Sequence, residues 1–94
     1  MKVIMLDGKK MTTPEAAHAH IAEMAEFPAY YGKNLDALAD CLGELRSGTY
    51  VILMNDADMR RSLGSYANRL IDVFEAAASE PYSFDFTICT EQQA

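Results

Sequence analysis

Ninety-four residues with a formal net charge of -6 suffice for one domain and are too few for two. Half of them are apolar, which excludes a disordered chain, yet no apolar run approaches the roughly 20 residues that cross a bilayer. The acidic balance argues against direct binding of DNA or RNA, which requires a basic patch to displace counterions, and in favour of a basic partner.

Lys2 to Leu6 reads as a first strand, closed by a turn at Asp7-Gly8. Its apolar run is too short for a secretory leader, so the cytoplasm is the expected location. Thr12-Thr13-Pro14-Glu15 starts a helix, with a threonine cap, proline in the first turn and Glu15 three residues after Thr12. The helix runs to about Glu26, and Ala17, Ile21 and Met24 form its apolar stripe. His18 and His20 diverge by about 200° on a helix and cannot share a metal. Pro28 interrupts, Asn34 caps a second helix from Leu35 to about Leu45, and Gly48 marks a break.

Tyr50 to Met54 is a continuous apolar run, as expected of a parallel strand covered on both faces. Asn55 to Leu63 predicts a short helix ended by Gly64, on which Arg60-Arg61 is a solvated face. Ser65 opens a longer helix to about Ala78, with Tyr66, Leu70, Val73, Phe74 and Ala77 facing inward. Tyr82, Phe84, Phe86 and Ile88 alternate with Ser83, Asp85, Thr87 and Cys89, the period of a last strand, and Glu91 to Ala94 reads as a frayed tail. Strands separated by helices predict an α/β fold: a single domain over 1–94, with a small three-stranded parallel sheet packed by about four helices. Cys41 and Cys89 are expected as buried thiols rather than a bridge, and the six methionines as adaptable core filler.

The second helix has two chemically different faces. Leu35, Leu38, Leu42 and Leu45 share one arc, with Cys41 at its edge. The opposite arc carries Asp36, Ala39, Asp40 and Gly43, with Glu44 beside it. Like charges four residues apart destabilise a helix by a few tenths of a kcal/mol, and no lysine or arginine relieves them between Lys33 and Arg46. Two readings stand: a solvated acidic face, or a docking surface for cations that Ala39 and Gly43 let a partner approach closely. The preceding Pro28-Ala29-Tyr30-Tyr31-Gly32-Lys33-Asn34 has the same ambiguity. A tyrosine pair supplies contact area in interfaces, and Gly32 allows positive φ or close backbone approach. Equally, one tyrosine could pack inward beneath an ordinary turn.

The run Pro28 to Leu42, of pattern P-x-Y-Y-G-x-N-L-D-A-L-x-D-C-L, resembles the signature of the barstar family and covers about a sixth of the chain. The resemblance implies a protein inhibitor of bacterial ribonucleases whose second helix and preceding loop plug the enzyme's basic active site. It implies that Asp40 mimics a substrate phosphate, that Asp36 contacts the same basic site and that Tyr30 packs on an imidazole. Gly32, Asn34 and Leu35 would supply close contacts, and Glu80 a peripheral acid. With Tyr31, Ala39, Gly43 and Glu44 these residues make up the candidate partner surface. Three positions depart: Ala39 stands where the best-known member has a tryptophan, Leu45 replaces another aromatic, and Ala76 replaces an acid. The implied partner is a basic ribonuclease or nuclease toxin bound one-to-one by a monomer. No catalytic residue, cofactor or metal is expected. The alternatives are an immunity protein or antitoxin against another nuclease, and an interaction module without a nuclease partner.

Overall fold

The computed structural model describes residues 1–89, so the expected C-terminal tail lies outside the described residues. Seven regular elements follow one another: β1 (Lys2–Asp7), α1 (Pro14–Ala25), α2 (Leu35–Leu42), β2 (Thr49–Met54), α3 (Asp56–Leu63), α4 (Ser65–Ala78) and β3 (Asp85–Cys89). The strands pair in parallel in the order β1-β2-β3, placing Ile4 beside Val51 and Val51 beside Phe86. This is the α/β architecture expected from the alternation of strand and helix patterns.

Local chemistry sets the element ends. Thr13, rather than Thr12, caps α1: its Oγ1 accepts the Ala16 amide at 3.0 Å, with Pro14 as the first helical residue. Glu26 closes that helix in the left-handed region at φ 59°. α2 stops at Leu42, three residues short of the expected end. Gly43 is a poor helix former; the Glu44 and Leu45 amides take the Cys41 and Leu42 carbonyls in tight turns, and the Arg46 guanidinium donates to the carbonyls beyond the helix, Gly43 O at 2.6 Å and Leu45 O at 3.3 Å. β3 starts only at Asp85, because Pro81 and a left-handed Tyr82 (φ 62°) delay the extended chain. At the end of β1, Gly8 is packed so closely that a Cβ would overlap the Asn55 carbonyl.

The core lies between one sheet face and the helices. Ile4, Leu6, Val51 and Leu53 from the sheet meet Ala17, Ile21, Leu38, Leu42, Met59, Leu70 and Phe74. Phe86 stacks on Phe74 with ring centroids 5.0 Å apart. The other sheet face is not covered as the β2 pattern predicts: Val3, Met5 and Tyr50 are exposed there. Crossovers of one hand that step across the sheet in one direction put all helices on the same side, and order β1-β2-β3 takes two such steps.

Three side-chain expectations also change. Met24 points outward, and His18 and His20 hold the inner face of α1 with Ala17 and Ile21. Met11 and Met59 fill the core, whereas Met1, Met5 and Met24 are exposed. Both cysteines are free, but Cys41 is only half-buried and Cys89 is exposed on the last strand.

Candidate functional site

The loop before α2 is anchored from below. Tyr31 is buried, with its hydroxyl 2.7 Å from His18 Nδ1, and the other ring nitrogen lies 2.7 Å from the Tyr66 hydroxyl. α1, the loop and α4 thus meet at one imidazole. Burial lowers the His18 pKa and raises that of Tyr31, so both are neutral at pH 7 and each ring nitrogen has a partner suited to a neutral ring. Phe27 packs on Tyr31 with centroids 5.1 Å apart. Tyr31 is therefore turned inward, with little of its ring at the surface. Tyr30, the other member of the pair, is 88% exposed.

Past the tyrosines the chain makes its tight turn at Lys33 (φ 56°) and not at Gly32, which needs no positive φ. Gly32 is exposed, and a Cβ there would meet only the Ala37 and Asn34 side chains. Asn34 then caps α2, its Oδ1 accepting the Ala37 amide at 2.7 Å. That acceptor belongs to the helix. Leu35 is half-buried and packs against the core.

Leu38 and Leu42 are buried and set the rotation of α2, so Asp36, Ala39, Asp40, Gly43 and Glu44 are all exposed. Asp36 sits in the first turn, where the helix dipole favours an anion. Asp40 and Glu44 lie further along and gain less from it. The ion pairs among the described residues are Lys2–Glu26, Arg60–Asp56 and Arg61–Asp58, so neither the two α2 acids nor Glu44 just beyond the helix is neutralised within them. The one basic side chain at the end of this helix, Arg46, is held on backbone carbonyls. Cys41 registers the uncompensated field: burial first, then the charges of Asp40 and Glu44, raise its thiol pKa, making it a poor nucleophile.

The acidic ridge is flanked by two open grooves. On the α1 side, a groove of about 340 Å³ is lined by Tyr30, Asp40, Cys41 and Glu44 together with Glu26 and Phe27. On the α4 side, one of about 370 Å³ lies between Ala39 and Gly43 of α2 and Val73, Ala76 and Ala77 of α4. Glu80 lines this second groove from just beyond the end of α4. The fold thus gathers Tyr30, Asp36, Ala39, Asp40, Gly43, Glu44 and Glu80 around one helix. Sequence reading missed Glu26 and Val73, because their proximity to α2 depends on how α1 and α4 pack, which no local pattern reveals.

The site is thus a set of carboxylates on and just beyond a short helix, in no ion pair among the described residues and beside an exposed tyrosine, on a small α/β protein. The family profile described as Barstar (barnase inhibitor) matches residues 1–91. A protein of Bacillus subtilis (strain 168) named "Putative ribonuclease inhibitor YrdF" is 37% identical over 81 residues, covering 85% of this chain and 89% of that protein. The chain belongs to the barstar family.

Proposed function

We propose that this chain is an inhibitor of a bacterial ribonuclease, acting by seating α2 and the Tyr30–Gly32 loop in the enzyme's basic active site. The observation that carries this is the set of exposed acids Asp36, Asp40 and Glu44, none of them in an ion pair among the described residues. A site that holds phosphate presents clustered arginine, lysine or protonated histidine, and carboxylates on a preformed helix replace the substrate's anions at low entropic cost. In this reading Asp40 is the central phosphate mimic and Asp36 a second anion for the same site. Tyr30 is the aromatic contact, and Gly32, Ala39 and Gly43 allow close approach. Asn34 acts by capping the helix, Leu35 by fixing its seat, and Tyr31 by supporting Tyr30 from beneath. Family membership and the name of the Bacillus relative support the inhibitor role and give no reason to assign catalysis. The protein acts in the cytoplasm as a monomer, binding its target one-to-one. The negative net charge speeds encounter with a basic enzyme and makes the rate fall with salt.

Titrating a barnase-type ribonuclease with the protein in an RNA-cleavage assay tests this. Stoichiometric inhibition by the native chain, lost in Asp40→Ala, is the expected result. A second reading, an immunity protein against a nuclease of another fold, is favoured by Ala39 and Ala76, whose small side chains leave the α4-side groove open. It predicts no inhibition of the barnase-type enzyme at any molar excess.

A further inference from the structure

We propose that the groove between α2 and α4 is a socket for an aromatic side chain projecting from the target protein next to its cationic site. This deepens, and rests on, the reading of α2 as the nuclease-docking face. The socket has a volume of about 370 Å³, within the size range of small-molecule sites. Its α2 wall is Ala39 and Gly43, the same residues that lie between and beside Asp36 and Asp40 on the exposed arc. A partner that brings cations to those carboxylates must therefore cover the mouth of the groove, since successive turns of a helix are only about 5.4 Å apart.

Covering without filling is unfavourable. Most of the lining, from Ala39, Val73, Ala76, Ala77 and Pro81, is apolar and offers trapped water few hydrogen-bond partners, with the polar side chains of Arg46, Ser83 and Glu80 completing it. An empty hollow forfeits the dispersion contacts that a packed interface makes. The occupant must be large and flat enough to lie between two helices lined by alanine and glycine, which favours a ring over a branched aliphatic chain. Aromatic side chains also bring the greatest contact area for the fewest rotatable bonds. The rim sets a second requirement. Glu80 is exposed and makes no ion pair among the described residues, whereas Arg46 is tied to the Gly43 and Leu45 carbonyls. The expected partner thus presents an aromatic residue flanked by a lysine or arginine that reaches Glu80.

The test uses the intact protein labelled with ¹⁵N and titrated with N-acetyl-tryptophanamide, with N-acetyl-leucinamide as the aliphatic comparison. Saturable amide shifts at Gly43, Val73, Ala76 and Ala77 with the indole probe are expected, with weaker shifts for the leucine probe. They are retained in Asp40→Ala and lost in Ala39→Trp, whose indole fills the socket from within. Ala76→Phe, filling it from the α4 wall, gives the same loss should Ala39→Trp fold poorly. Shifts scattered over the surface, equal shifts with the leucine probe, or none at solubility overturn the proposal. Shifts of the same amides on concentrating the protein alone would assign the socket to a second copy and also overturn it. Failure of the ribonuclease assay would remove the inhibitor reading while leaving this titration to decide the socket.

Discussion

Helices α2 and α3 are equal in length, eight residues each, and both place acids in their first turn, yet they treat charge in opposite ways. On α3 every acid has a base one turn away: Arg60 Nε lies 2.9 Å from Asp56 Oδ2 and Arg61 Nη1 lies 3.0 Å from Asp58 Oδ1. Arg60 extends further, to Asn68 Oδ1 on α4 at 3.2 Å. α3 is thus electrostatically closed. On α2 the acids recur at the same spacing with no base between them, and Arg46 is turned onto backbone carbonyls instead. A helix that only had to be soluble would use the α3 pattern, which costs nothing in self-repulsion. The α2 pattern sacrifices a few tenths of a kcal/mol of helix stability and keeps its anions available.

The largest expected consequence of that contrast concerns binding. Asp40→Ala is expected to cost about 2–5 kcal/mol of affinity for an inhibited ribonuclease, because it leaves cations of the partner buried without a counter-charge. Its effect on folding is expected to be within about 0.5 kcal/mol, the range of ordinary surface substitutions. Asp58→Ala, the same change on α3, should leave affinity unaltered. Inhibition titrations and urea melts on both variants measure the two quantities. Equal loss of affinity in the two would erase the distinction between the helices.

Beneath α2 the contrast depends on how firmly the loop is held. Removing the Tyr31 hydroxyl leaves a buried ring nitrogen of His18 without its partner, so Tyr31→Phe is expected to destabilise the fold by about 1–3 kcal/mol. A loss under about 0.5 kcal/mol in urea unfolding would show that the hydroxyl anchors nothing. The same imidazole predicts a pH dependence. Burial holds the pKa values of His18 and His20 below the ordinary 6.5, so the unfolded chain binds more protons than the folded one in the interval between. The resulting stability is present in full above pH 6.5, declines as pH falls below it, and is lost through the depressed folded values. His18→Gln should flatten the part of that slope that His18 contributes. A urea-midpoint series from pH 8 to 5 that shows no decline would contradict the buried neutral state.

How much of this was readable beforehand follows from the range of the interactions involved. The strands, the Asn34 cap and the two-faced character of α2 are written in residues within one or two turns of each other, and the fold places them as expected, save that β3 begins at Asp85. Local sequence does not decide which tyrosine turns inward, because the answer is His18 on α1, 13 residues from Tyr31 and 48 from its other partner Tyr66 on α4. The inner stripe of α1 was misread at Met24 for the same reason: a histidine belongs in a core only once its two nitrogens are satisfied. The open sheet face was hidden because an apolar strand pattern reports burial without saying whether helices lie on one side or two. Gly32 drew attention as the flexible point, yet Lys33 adopts the left-handed turn. Of the candidate site, spacing shows that the acids share an exposed arc and leaves their role open; it does not show the two grooves beside them, since each has a wall from another helix.

The smallest expected effect is the most discriminating about α3. Arg60→Ala removes a partly exposed pair with Asp56 and a hydrogen bond to Asn68, and exposed i,i+4 pairs contribute only about 0.3–0.5 kcal/mol. A midpoint shift of that order is expected in low salt, shrinking in 1 M salt where the Debye length is about 3 Å. Ribonuclease affinity should not change. The variant does leave Asp56 uncompensated, giving α3 one free acid of the kind that Asp36 and Asp40 are on α2. If that alone lent α3 a measurable affinity for a basic nuclease, unpaired charge would be sufficient for docking and the shaped surroundings of α2 would be incidental. The expectation is no gain, since in the proposed reading a partner is selected by the geometry around the acids as much as by the acids themselves.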